Sequence, residues 1–140
     1  MIVVGIDPGQ HTGIAVWDTV SRAFLDIRCS GIVAAMDYLD DLAFNRGIGL
    51  VVFEDARQRK WIPRERDLAQ MKGRAMGAGS VKRDCTIWEE WCDVYRVDHI
   101  AVPPKNNRTK LSADQFNGIT GYDRRTNEHG RDAAMLVFQR

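Results

Sequence analysis

With 140 residues, 44% apolar and 28% charged, the chain has the composition of an ordinary globular protein, enough length for one core and no room for a second lobe. No apolar run approaches the roughly 20 residues of a membrane span, and no signal peptide is expected ahead of Met1. The net charge of +1 hides a segmental pattern: −4 over residues 1–54, +6 over 55–83, −4 over 84–102 and +3 over 103–140.

Residues 1–7, 12–18 and 23–29 are apolar, β-branched and separated by short polar turns, which predicts an antiparallel meander of three strands. The first turn, Gly5-Ile6-Asp7-Pro8-Gly9-Gln10, carries an acid at a strand end, where an unpaired carboxylate is costly unless its charge is compensated. Asp-Pro-Gly is also a good turn sequence in its own right, with Asp7 capping local N–H groups. Ile32, Ala35, Met36, Leu39, Leu42 and Ala43 then recur at helical spacing, up to Asn45-Arg46-Gly47. Leu50-Val51-Val52-Phe53 is an unbroken apolar run ending at Glu54, as in a parallel strand buried on both faces. A helical region over about 65–93 follows, with a possible break or tight packing at Gly77-Ala78-Gly79. Residues 95–102 read as a fifth strand closed by Pro103-Pro104, and helices are expected near 109–117 and 127–139. The result is one α/β domain over 1–140 with a mixed sheet, three meander strands plus two parallel ones, flanked by helices.

The three cysteines, Cys29, Cys85 and Cys92, lack metal-ligand spacing. Cys85 and Cys92 are seven apart in a helical pattern and read as reduced thiols facing one core, so a cytoplasmic protein is expected. Met71, Met76, Trp88 and Trp91 also lie at helical spacings, which suits core or a dimer interface.

Two features point to chemistry. Asp7 ends the first strand and Glu54 the fourth; if these strands are neighbours, the carboxylates lie side by side. In the last helix Glu128 and Asp132 are i,i+4 and His129 and Asp132 i,i+3, so all three can share one face aimed at the strand ends. Converging acids repel one another in a low dielectric, and divalent cations relieve that repulsion. Carboxylate oxygens select hard ions such as Mg²⁺ or Mn²⁺, and two ions in one site can hydrolyse a phosphodiester. The second feature is Arg57-Gln58-Arg59-Lys60-Trp61-Ile62-Pro63-Arg64, loop-like, with one aromatic among four cations. That combination suits phosphate contacts and base stacking, and Lys72, Arg74, Lys82 and Arg83 extend the basic segment. A solvated charged face is the plain alternative for the run. Asp132 could likewise be only an acid favoured by a helix N-terminus, His129 a solvated polar residue, and Glu54 a partner for Arg57 or Arg59.

Gly5-Ile6-Asp7-Pro8-Gly9 with Thr12-Gly13, Val52-Phe53-Glu54, and His129-x-x-Asp132-Ala133-Ala134 closely resemble the signature segments of the RuvC-type Holliday-junction resolvases. The resemblance spans nearly the whole chain in the order and spacing of elements; the chain is short for a bacterial member, as phage-borne relatives tend to be. It implies an RNase H-like fold and a homodimeric, metal-dependent endonuclease that cuts four-way DNA junctions. Asp7, Glu54 and Asp132 match three acidic metal ligands of the family. The fourth acid falls at His129, a position where some members also carry His. Lys105 and Lys110 lie where a basic residue of the family approaches the scissile phosphate. The resemblance thus implies a magnesium or manganese cofactor, two ions per site, and branched DNA as partner.

Other functions compete. A nuclease of the same fold could act on flap DNA or an RNA–DNA hybrid, and the shared motifs do not separate these substrates. Sugar-kinase or actin-like ATPases have a first loop reading Asp-x-Gly-x-Thr, but they need two lobes and a second phosphate loop. A non-catalytic DNA-binding module is disfavoured because the acids are intact.

Overall fold

The computed structural model describes residues 1–58, 68–104 and 110–140, with only the backbone of residues 68–75 and 78. Strands β1 (Ile2–Asp7), β2 (Thr12–Asp18) and β3 (Ala23–Ser30) pair antiparallel as a meander, with one register shift between Val16 and Trp17. Helix α1 (Ile32–Asn45) carries the chain back to β4 (Leu50–Glu54), parallel to β1. A single 3₁₀ turn (Ala56–Gln58) and the long α2 (Leu68–Tyr95) precede β5 (His99–Val102), parallel to β4. Helices α3 (Ala113–Thr120) and α4 (Glu128–Val137) close the chain. The sheet order is β3-β2-β1-β4-β5, the five-stranded mixed sheet that the element pattern predicts.

Successive strand residues point to opposite faces, and both faces of this sheet are covered. Val4, Ile6, Ile14, Val16, Val51 and Phe53 pack on one side against Ala35 and Leu39 of α1 and Cys85, Trp88, Trp91 and Cys92 of α2. Val3, Ala15, Trp17 and Val52 pack on the other against Phe116 of α3 and Ala133, Ala134 and Val137 of α4. The apolar run into Glu54 lacks alternation because β4 is central and neither of its faces meets water. Trp91 also ties the two helices of the first layer, its Nε1–H donating to Asp40 Oδ1 at 2.8 Å.

Some boundaries differ from those the sequence predicts. Helix α2 runs without a break through Gly77 and Gly79. Met76 on it is exposed, so of the two places expected for it, core or a dimer interface, it is not in the core, while Trp88 and Trp91 are buried; the side chain of Met71 lies outside the described residues. The fifth strand begins at His99, not at Tyr95, because α2 continues to Tyr95 and closes through Arg96. That residue takes a left-handed φ of 55°, and the next N–H, of Val97, donates to Cys92 O at 2.9 Å. Helix α3 starts later than predicted, at a capping box formed by Ser112 and Gln115. Among the described residues, no helix is long and apolar enough to cross a membrane.

Candidate active site

Strand parity determines where the two strand-end acids point. Ile6 pairs with Phe53 across β1 and β4, so Asp7 and Glu54 leave neighbouring parallel strands side by side at the same sheet edge. Asp7 shares parity with Val3, and Glu54 with Val52, so both carboxylates belong to the face that α4 covers. Asp55, one residue further, belongs to the face of α2. The turn behind Asp7 is fastened by Thr12, fully buried, whose hydroxyl donates to Gly9 O at 3.0 Å.

Helix α4 approaches this edge with its backbone rather than its side chains. A Cβ on Gly5 would run into the Ala133 carbonyl, and one on Gly13 into the His129 carbonyl. Ala133 and His129 are one helical turn apart, so the two glycines seat a ridge of α4 directly on β1 and β2. Asn127 caps the helix, accepting from the Gly130 N–H at 2.9 Å. Arg131 pins the preceding chain through Leu111 O (2.9 Å) and Thr126 O (3.0 Å). The first turn of α4 is thereby fixed above the strand ends.

The expected residues Asp7, Glu54, His129, Asp132 and Lys110 come together here. His129 Nδ1 is hydrogen-bonded to Asp7 Oδ2 at 3.0 Å, and His129 Nε2 lies 3.6 Å from Glu128 Oε1. Burial raises the Asp7 carboxyl to a pKa of about 6; the His129 hydrogen bond opposes the shift, while the charges of Asp132 and Glu54 add to it. The three carboxylates are thus close enough to feel one another, though among the described residues no three His, Cys, Asp or Glu side chains converge as a ready metal site. Lys110 supplies counter-charge at the rim, with Nζ 3.3 Å from Asp132 Oδ2 and 3.5 Å from Glu128 Oε2. Partial burial opposes its charge, yet Asp132 and Glu128 hold the ammonium above its ordinary pKa. Glu128 lies beside His129 on the face that the sequence predicts, whereas one neighbour is not predicted: His11, whose ring lies 5.9 Å from that of His129, carries no spacing signal linking it to α4.

The basic residues separate into three groups. Arg57, the first of the loop cations, is turned inward onto Asp55 and Glu89 rather than onto Glu54. Burial works against Asp55, but hydrogen bonds from Arg57 and Gln58 hold its carboxyl below the usual range. Lys82 and Arg83 are exposed on α2. Arg59, Lys60, Trp61, Arg64 and Lys105 lie outside the described residues, as do the side chains of Lys72 and Arg74.

No family model and no curated protein sequence matches the chain. Solved structures do. Thermus thermophilus RuvC in complex with a Holliday junction substrate aligns over 99% of this chain and 91% of its own, at 19% identity and a TM-score of 0.60. The Thermus thermophilus RuvC structure by itself aligns over 99% and 92%, at 20% identity and a TM-score of 0.60. The chain therefore has the fold of RuvC, a five-stranded mixed sheet flanked by helices.

Proposed function

We propose that the chain is a divalent-metal-dependent endonuclease that resolves four-way or otherwise branched DNA as a homodimer. The observation that carries this reading is the meeting of Asp7 and Glu54, on adjacent parallel strand ends, with His129 and Asp132 in the first turn of α4. Support from outside the chain is the likeness of fold to a RuvC whose structure includes a Holliday junction substrate.

The donor set suits a hard or borderline divalent ion, being three carboxylates whose mutual repulsion is only partly met by His129 and Lys110. Asp7, Glu54, His129 and Asp132 would hold the metal, which when bound supplies an activated water and stabilises the leaving oxygen of a phosphodiester. The chain's own residues orient that chemistry. His129 holds Asp7 by one carboxylate oxygen and leaves Oδ1 without a contact to it. Lys110 offers a positive charge beside Asp132 that can turn to an incoming phosphate. Lys82 and Arg83, with Arg59, Lys60, Trp61, Arg64, Lys72 and Arg74, would hold the DNA backbone, and Lys105 would accompany Lys110 near the scissile phosphate. Water attack with the 3′ oxygen as leaving group would leave a 5′-phosphate.

The test is incubation with labelled four-way junction, flap, RNA–DNA hybrid and linear duplex, each with Mg²⁺, Mn²⁺ or chelator. The expected result is metal-dependent cleavage of the junction above the other substrates. Preference for the hybrid or flap would move the substrate within the same fold. Asp7→Asn, Glu54→Gln and Asp132→Asn should each abolish cleavage and spare junction binding, since acids hold metal while cations hold DNA. Retention of more than a few per cent of parent cleavage by all three would refute the site.

A further inference from the structure

Asp55 is a buried, ion-paired acid, and it adjoins Glu54. Its residue is only 4% exposed. Its carboxylate accepts from Arg57 Nε at 2.8 Å, Arg57 Nη2 at 3.0 Å, the Arg57 backbone N–H at 3.0 Å and Gln58 Nε2 at 3.3 Å. The remaining arm of the guanidinium reaches α2, where Nη1 donates to Glu89 Oε2 at 2.7 Å. The same short segment is held from β5, as Asp55 N–H donates to Val102 O at 2.7 Å and Gln58 Nε2 to Ala101 O at 3.2 Å. A third tie comes from the Cys85 thiol of α2, which donates to the carbonyl of Glu54 itself at 3.6 Å. Glu54 therefore leaves the sheet on a backbone clamped from both flanking elements.

We infer that Arg57 is a positioning residue for Glu54: the Asp55–Arg57–Glu89 ion triad locks the exit of β4 to α2 and so fixes the direction in which the Glu54 carboxylate is presented. The assignment rests on the nuclease reading for its catalytic consequence, and it removes Arg57 from the phosphate-contacting set. A guanidinium forked onto one buried carboxylate and bonded to a second acid has its donors directed into the protein. Breaking such a pair leaves a buried carboxylate uncompensated, so Asp55 would turn outward and carry Glu54 with it.

Two roles for Arg57 predict opposite readings. Removing a cation that neutralises a phosphate weakens junction binding, lowers the salt slope by about 0.9 and leaves kcat intact. A positioning residue leaves the salt slope and KM unchanged and lowers kcat, by tenfold or more in Arg57→Ala. Glu89→Ala separates them further. Deleting an acid cannot remove a phosphate contact, yet as a member of the triad it should lower kcat as Arg57→Ala does. The double variant should cost little more than either single one. Arg57→Lys, which keeps charge and loses the fork, should fall between parent and Arg57→Ala; it also serves if Arg57→Ala does not fold. Amide exchange gives a readout independent of cleavage: the Asp55 N–H should exchange at least tenfold faster in Arg57→Ala and Glu89→Ala than in the parent. Unchanged exchange at Asp55, or a lowered salt slope with intact kcat, overturns the proposal. If the parent cuts none of the substrates, the nuclease reading falls, and exchange alone still decides whether the clamp holds.

Discussion

Asp7 concentrates the electrostatic problem of the site in one side chain. It is 19% exposed, faces two other acids, and has His129 as its one hydrogen-bond partner among the described residues. In the folded chain it takes up its proton near pH 6, against 3.8 for an unperturbed Asp. Between those values the folded state binds more protons than the unfolded one, so stability falls as pH rises from about 4 to about 6 and stays lowered above. The full shift corresponds to roughly 3 kcal/mol. Asp7→Asn should therefore melt higher than the parent in chelator at pH 7, and the gap should close as pH is lowered towards 4. A gap of constant size across that range would show that Asp7 ionises in the folded chain as it does in the unfolded one. Under the proposed function, His129 bears on metal choice instead. Imidazole suits transition ions better than the oxygen-seeking Mg²⁺, so the parent should cleave with Mn²⁺ at least as well as with Mg²⁺. His129→Asp should shift the ratio of the two rates towards Mg²⁺. An unchanged ratio would mean that His129 orients Asp7 without meeting the metal.

At the scale of elements, the glycines of the first two strands matter as much as the acids. Gly13 has the His129 carbonyl where a Cβ would be, whereas a Cβ on Gly9 would come no closer than 3.9 Å to any atom beyond its two chain neighbours, the nearest being His11 O. Gly13→Ala must push the first turn of α4 off β2, at a cost of about 3 kcal/mol for overpacking against backbone, and it should abolish cleavage. Gly9→Ala should melt within about 0.5 kcal/mol of the parent, as surface substitutions usually do. Equal melting temperatures for the two variants would refute the close seating of α4. This reason for Gly5 and Gly13 was not legible in the sequence, because it depends on a helix more than a hundred residues away. The strands themselves were legible, since apolar, β-branched runs and turn chemistry are local, and so was the pairing of Asp7 with Glu54 once β1 and β4 were taken as neighbours. The end of α2 was not, for it closes through Arg96 where a glycine would have marked the boundary. Nor was the role of Arg57. A cation in a basic run looks the same whether it meets solvent or a buried acid, and Glu89 is 32 residues further on.

Over the whole molecule, charge is divided by task. The acids of the candidate site gather at one sheet edge, while residues 55–83 carry an excess of six positive charges that begins immediately after Glu54. Within that segment Arg57 is already bound to Asp55 and Glu89, so the cations proposed to hold DNA are counted from Arg59 in the sequence. Trp61 stands among Arg59, Lys60 and Arg64, five to ten residues after Glu54. Phosphates are alike in a junction and a duplex, so under the proposed function the cations would supply salt-dependent affinity without discrimination. An aromatic ring needs an unstacked base, which the centre of a junction offers and a continuous duplex does not, and such stacking is worth roughly 1–3 kcal/mol per base. Trp61→Ala should accordingly weaken junction binding by about tenfold and cut junction cleavage, with duplex affinity nearly unchanged. Arg59→Ala with Lys60→Ala should weaken both substrates together and lower the salt slope by about 1.8, because each phosphate left without its cation accounts for about 0.9. Titrating both variants against junction and duplex at several salt concentrations separates the two effects. If Trp61→Ala weakens duplex as much as junction, or leaves junction cleavage intact, the ring stacks on no base and the discrimination belongs to another part of the chain.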